Sequence, residues 1–326
     1  MVATVRNRLS PPPGLDTTQQ SPAPTTRPDR SRERAVRAAC YAGLVGVTLA
    51  AFWSSLSMLI RFSFQEEQYS HIILVPVVSA FLLARERRKI FAHVETCWTV
   101  GSTLLIAGGV LAWLGHRTFS PPGQNDQLSI ATSSLVMLWL GAFVLCYGLR
   151  AFRAGLFPML FLLLMVPVPS VVLNRVIFWL QTGSAEVSYA LFQLAGVPVF
   201  RTEFVFSLPG LSIEISKECS GIRSGVVLLM TSLLAGHLFL RTAWRKAALT
   251  LVAVPILVVK NAIRIVTLTL LSIYVDPSFL TGSLHRDGGI LFFLLALVFL
   301  APALRLLQKH EQTDDSLLRV RVKSIL

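Results

Sequence analysis

Hydrophobic and polar positions fall into long separate blocks along most of this chain. Apolar runs cover roughly 38–60, 71–84, 98–115, 128–149, 156–168, 222–240, 247–275 and 289–304. Basic clusters divide several of them, as at Arg85-Glu86-Arg87-Arg88-Lys89, at Arg150 and Arg153, and at Arg241, Arg245 and Lys246. Runs of this length with so few charges predict transmembrane helices. The strict alternation of a membrane barrel strand is missing. The expected fold is an all-α polytopic membrane protein with about eight transmembrane helices. The second run is short, and Pro167 and Pro169 break the end of the fifth.

Residues 174–216 depart from the block pattern. Val176 to Ala195 is amphipathic, so it lies at the membrane interface or re-enters the membrane. Residues 199–216 hold two β-leaning runs around Pro209-Gly210, which signal a hairpin outside the membrane. Residues 1–37 are rich in Pro, Thr, Ser and Arg and are expected to form a disordered basic tail. The first apolar run starts too late for a cleavable signal peptide. Residues 38–304 then form one transmembrane domain, and 305–326 a short charged tail.

The chain is 53% hydrophobic and 14% charged, with a mean hydropathy of +0.63. A soluble domain has about a quarter of its residues charged. The net charge of +13 raises the question of a nucleic-acid partner. The distribution of that charge points to membrane orientation instead. With a cytoplasmic N-terminus and eight crossings, segments 1–37, 85–97, 150–153, 241–246 and 305–326 lie inside. They carry 21 of the 30 Lys and Arg residues, as the positive-inside rule requires. The expected location is the cytoplasmic (inner) membrane, multi-pass, with both termini in the cytoplasm.

Charged groups within hydrocarbon cost at least a few kcal/mol and are retained for use. Three sets stand out. Lys217-Glu218-Cys219-Ser220-Gly221-Ile222-Arg223-Ser224-Gly225 precedes the sixth run. Lys260, Asn261 and Arg264 lie in the seventh, and His285-Arg286-Asp287 precedes the eighth. The topology puts Cys219 and His285 at the outer ends of their spans. Arg264 lies 17 residues beyond Ala247, about 25 Å along a helix, at the same depth. Cys40, Cys97 and Cys146 fall on the inner side, so Cys219 has no intramolecular disulfide partner. A lone thiol facing an oxidising compartment is either a buried structural cysteine or a reactive one. The flanking Glu218, Ser220, Gly221 and Arg223 favour the second.

A thiolate is a nucleophile, and a nearby cation stabilises it. Histidine exchanges a proton near neutral pH. Arginine keeps its charge and donates to a thiolate or an oxyanion. The N–H groups of a helix start beside Gly221 add to that field. Lys260 and Arg264 share a helix face and repel unless an anion lies between them. Taken singly, Arg264 also fits a residue snorkelling to the interface, and His285 a loop residue. Two rival readings are weaker. A transporter lined by Lys260, Asn261 and Arg264 would normally show two related halves, and none is visible. A zinc site from His71, His116, His285 and Cys219 lacks an HExxH pattern. No cofactor or metal is expected.

The boxes Glu218-Cys219-Ser220-Gly221-Ile222-Arg223-Ser224 and Asn261-Ala262-Ile263-Arg264-Ile265, with His285 before the last span, resemble the exosortase/archaeosortase family of membrane cysteine transpeptidases. Tyr69-Ser70-His71 with Leu74-Val75-Pro76, Pro167-Val168-Pro169 and Gly196-Val197-Pro198-Val199 follow the same pattern, in order, over about residues 40–305. Ile72 departs from it, since many bacterial members have Gly there, and so does Lys217-Glu218. The resemblance implies substrates that are secreted proteins with a C-terminal tripartite sorting signal: a short motif such as Pro-Glu-Pro, a membrane helix and a basic cluster. It implies Cys219 as nucleophile, Arg264 as stabiliser of the thiolate or oxyanion, and His285 as proton donor to the leaving amine. Some family-like genes accompany polysaccharide export, which leaves a non-catalytic assembly factor as the alternative.

Overall fold

The structure is a computed structural model that describes residues 30–117, 123–280 and 289–323. Its helices are α1 (Arg30–Ala51), α2 (Trp53–Gln65), α3 (Leu74–Ile90), α4 (Trp98–Arg117), α5 (Gln124–Ala154), α6 (Leu156–Phe161), α7 (Ser170–Leu194), α8 (Ile222–Phe239), α9 (Ala243–Tyr274) and α10 (Gly289–Lys323). A 3-10 segment, Glu67–Ile73, leads into α3, and another, Leu162–Met165, extends α6. Among the described residues seven helical segments are long and apolar enough to cross a membrane. The α6 segment with α7 makes an eighth candidate, bent by 91°. The chain is an all-α polytopic membrane protein, as its hydrophobic blocks require.

Some boundaries differ from the apolar runs. Residues 30–37, expected in the disordered tail, begin α1. Residues 85–89 and 305–323 continue α3 and α10 rather than ending them. Arg, Lys and Glu are good helix formers, so an apolar run marks where a helix meets lipid, not where it stops. The first run is two helices, divided at Phe52.

α4 and α5 pack closely because glycines line the contact. Gly101, Gly108 and Gly115 recur every seven residues, which places them on one stripe of α4. A Cβ at Gly101 would come within 2.8 Å of the Leu145 backbone, and one at Gly141 of α5 within 2.9 Å of Leu105 N. Small residues of this kind let membrane helices approach. Gly148 breaks the α5 geometry with φ 84° and ψ 170°. The carbonyl of Glu95, in the α3–α4 connection, occupies the space a Cβ would need there.

The proline segment after α6 reaches the start of α5. Ser129 Oγ donates to the Pro167 carbonyl (2.7 Å), and Asn125 Nδ2 to that of Val168 (2.8 Å). The Asp126 carboxylate accepts the Ser170 N–H (2.7 Å), which fixes the first turn of α7. Tyr69 joins the same cluster by donating to Asn125 Oδ1 (2.7 Å). Residues 69–71 are thereby held beside the turn into α7. Because α7 leaves at 91°, it cannot simply prolong the α6 segment along one axis.

After α7 comes an antiparallel sheet of three strands: β1 (Phe200–Thr202), β2 (Val205–Leu208) and β3 (Leu211–Glu214), in that order. The expected hairpin is the β2–β3 pair, in which Leu208 faces Leu211 across Pro209-Gly210. β1 adds a strand ahead of it. Phe206, Leu208 and Ile215 pack with Ala185 and Phe192 of α7 and Val266 of α9, forming a core beneath the sheet. At the other end of the bundle the Glu311 carboxylate of α10 accepts the backbone N–H groups of Arg241 (3.0 Å) and Thr242 (2.8 Å). It thereby caps α9, whose first N–H groups have no partner within the helix.

Candidate active site

Cys219 sits in a single 3-10 turn, Glu218–Ser220, between β3 and α8. Its N–H donates to the Ser216 carbonyl (3.0 Å). The chain then turns into α8 through Gly221, whose φ of 81° is left-handed. That conformation suits glycine, which has no Cβ to clash. A side chain is also excluded by space, since a Cβ would lie 3.0 Å from Asn261 Oδ1. The thiol is thus presented at the start of α8, where free N–H groups favour negative charge.

α9 supplies the opposite wall. Asn261 is 1% exposed. Its Nδ2 donates to the Cys219 carbonyl (2.8 Å) and to Ser184 Oγ of α7 (3.0 Å), fixing the turn to both helices. Gln181 of α7 holds the other flank by donating to the Ile215 carbonyl (2.9 Å). Arg264, one turn beyond Lys260, lines the same cavity as Cys219 and Asn261. That cavity has a volume of about 180 Å³ and is completed by Ile213, Glu214, Ile215, Ile265, Leu268 and Thr269. The β3 residues and the end of α9 make its walls largely apolar, a setting in which a charge is felt strongly.

Positive charge gathers around the turn. Arg264 acts repulsively on both Arg223 of α8 and Lys260. Lys260 is 2% exposed, and its Nζ donates to Ser224 Oγ (2.5 Å). Ser224 in turn donates to the Gly221 carbonyl (3.1 Å), so the lysine braces the first turn of α8 from beneath. Three cations thus surround the Cys219 turn.

The structure brings Cys219 and Arg264 to one cavity. His285 lies outside the described residues. Among the described residues no three of His, Cys, Asp and Glu come close enough to hold a metal ion. His71 lies in the 3-10 segment before α3. His116 borders a separate cavity with Ser55 and Gln127. α9 starts at Ala243, so Arg264 lies 21 residues along it, about 31 Å from its start. Sequence reasoning missed Gln181 and Ser184. The signal was there: Gln181, Ser184 and Ser188 recur at helical spacing in an apolar segment, and all three are buried.

One sequence-family model matches the chain, that of the transmembrane exosortases, over residues 53–302. This span begins at the first residue of α2 and ends within α10, and it includes every residue of the cavity. No curated protein and no solved structure matches.

Proposed function

The chain belongs to the transmembrane exosortase family, membrane proteins that take part in processing sorting signals, and from that premise we propose that it is a membrane cysteine protease or transpeptidase. It cleaves the C-terminal sorting signal, of Pro-Glu-Pro type, from secreted proteins. The reading places the active site at the extracytoplasmic face of the inner membrane, with both termini in the cytoplasm. One observation carries it: Cys219 and Arg264, 45 residues apart in sequence, line a single cavity.

In this mechanism the Cys219 thiolate attacks the scissile carbonyl carbon. A C–S bond forms, and the carbonyl electrons move to oxygen. Arg264 and the N–H groups at the start of α8 stabilise that oxyanion. As the oxyanion collapses the C–N bond breaks, and the amine leaves with a proton from His285. The thioester is then attacked by water or by an acceptor amine, which gives its proton to His285 and restores the thiolate. Lys260 and Arg223 add positive charge beside the Cys219 turn, where negative charge develops during the reaction. Asn261 keeps the turn in register by holding the Cys219 carbonyl.

The test is co-expression with a secreted protein carrying a Pro-Glu-Pro-type tail, read by intact mass. Wild type should remove the tail and Cys219→Ala should leave it. The product mass distinguishes water from another acceptor. Processing that survives in Cys219→Ala would overturn the assignment.

A further inference from the structure

A second cavity lies at the opposite end of the bundle. Its volume is about 870 Å³, and it is bordered by α1, by the end of α3, by the connection 91–95 and by Tyr147 of α5. Four arginines line it: Arg34 and Arg37 from α1, and Arg87 and Arg88 from α3. His93 adds to them. Glu33 and Glu95 are the carboxylates on its wall, and Glu95 is paired with Arg150 (3.0 Å). The lining therefore carries a surplus of positive charge.

The position of these cations is fixed by the fold. Arg34 and Arg37 are three residues apart, on one face of α1. Arg37 Nη1 donates to the Cys146 carbonyl (3.0 Å), which anchors it at the cavity wall. Phe91 and Tyr147 pack against each other at a tilt of 60° (4.9 Å between ring centres) and form an aromatic side to the same space. None of the most apolar stretch of α1 is buried. Val36 and Val47 are 61% and 68% exposed on it. A basic recess thus opens beside the exposed apolar flank of α1, whose other face packs on α5. An occupant that satisfies both features has an anionic head and apolar tails.

We propose that this cavity binds the headgroup of an anionic glycerophospholipid. Arg34, Arg37, Arg87 and Arg88 take the phosphodiester, and the acyl chains run along the exposed flank of α1. Arginine suits this role because its planar guanidinium donates two hydrogen bonds to one phosphate. Basic pockets between helices at a membrane face are the usual setting for such recognition. The site is independent of the chemistry at Cys219.

The experiment uses the full chain purified in a neutral detergent. Thermal unfolding is followed while phosphatidylglycerol, phosphatidylcholine or inorganic phosphate is titrated in, and native mass spectrometry counts retained lipid. A ligand that binds only the folded state raises the transition temperature in a saturable way. Phosphatidylglycerol should do so, with one lipid retained per chain, while phosphatidylcholine and phosphate do not. Arg87→Gln with Arg88→Gln should weaken the half-saturation by roughly tenfold or more. Arg305→Gln with Lys309→Gln, on the exposed side of α10, should leave it unchanged. If the double variant does not fold, Arg34→Gln should weaken half-saturation by about threefold or more. An equal shift from phosphatidylcholine would overturn the proposal, as would an equal shift from phosphate alone, which marks a free-anion site. Equal losses in both double variants would reduce the effect to diffuse surface charge and overturn it too.

Discussion

α9 holds two buried cations, one beside each end of α8, and the two are compensated in different ways. Arg245 is 4% exposed and lies 3.4 Å from the Glu311 carboxylate, which also caps the helix start. Lys260 is 2% exposed and donates to the hydroxyl of Ser224. Both have lost their water, so both carry a desolvation penalty of several kcal/mol. At the Glu311 end a carboxylate offsets it. At the Cys219 end Arg264 adds repulsion to Lys260. The first end is a clasp between α8, α9 and α10. In the proposed mechanism the second supplies positive potential where negative charge develops on sulfur or on a carbonyl oxygen.

If the clasp is structural, breaking it should have the largest effect on folding. Glu311→Ala takes from buried Arg245 the carboxylate 3.4 Å away and removes the cap of α9. The expected loss is about 3–5 kcal/mol, read as a lowered unfolding temperature in detergent with the protein still able to process substrate at low temperature. A change below about 1 kcal/mol, the range of exposed pairs, would show the clasp to be solvent-screened. Arg264→Leu should behave in the opposite sense. It leaves the clasp intact and relieves the repulsion on Lys260, so substrate processing should fall by about 100-fold or more while the unfolding temperature moves much less than in Glu311→Ala. Equal losses of stability and activity would make Arg264 a structural residue and erase the contrast between the ends.

Gly221→Ala probes how tightly the Cys219 turn is held. The substitution meets a left-handed φ of 81° and a contact of 3.0 Å with Asn261 Oδ1. Left-handed backbone alone costs a non-glycine residue about 1–2 kcal/mol. A loss of that size is expected in stability, with a larger fractional fall in processing because the thiol is displaced. Asn261→Ala is itself destabilising, because it frees the Cys219 carbonyl, but by opening the space it should make the loss in the double variant less than the sum of the two. Additive losses would mean that the strain is in the backbone and not in the contact.

The difference between the ends was only half legible in the sequence. The membrane class followed from block length and charge, because hydrocarbon thickness allows little freedom. The convergence of Cys219 and Arg264 followed from topology, since span direction fixes depth. Lys260 and Arg264 were visibly on one face, four residues apart. The clasp was not visible: Glu311 reads as one charge in a polar tail, and only the fold returns it to residues 241–245 from 66 or more positions away. β1 was missed because three residues are too few to show alternation. Helix ends at Arg30 and Lys323 were missed because charged residues continue a helix as readily as they leave a membrane.

The smallest expected effect is the one that bears most directly on the contrast. Lys260→Met keeps the length and apolar stem of the side chain and removes its charge. Replacing a buried charge with an apolar group of similar volume is often neutral or stabilising. The hydrogen bond to Ser224 is lost, but Ser224 keeps its bond to the Gly221 carbonyl, so its hydroxyl is not left bare. The unfolding temperature should therefore stay within about 1 kcal/mol of wild type, on the stabilising side. The thiol should respond more clearly. With one cation fewer beside the turn, Cys219 should react more slowly with an anionic alkylating reagent relative to a neutral one of similar size, because the local positive potential that attracts the anion is weaker. Lys260→Arg should restore the ratio. A large loss of stability in Lys260→Met would mean that the amine is as well compensated as Arg245. An unmoved ratio would show that its charge does not reach the sulfur.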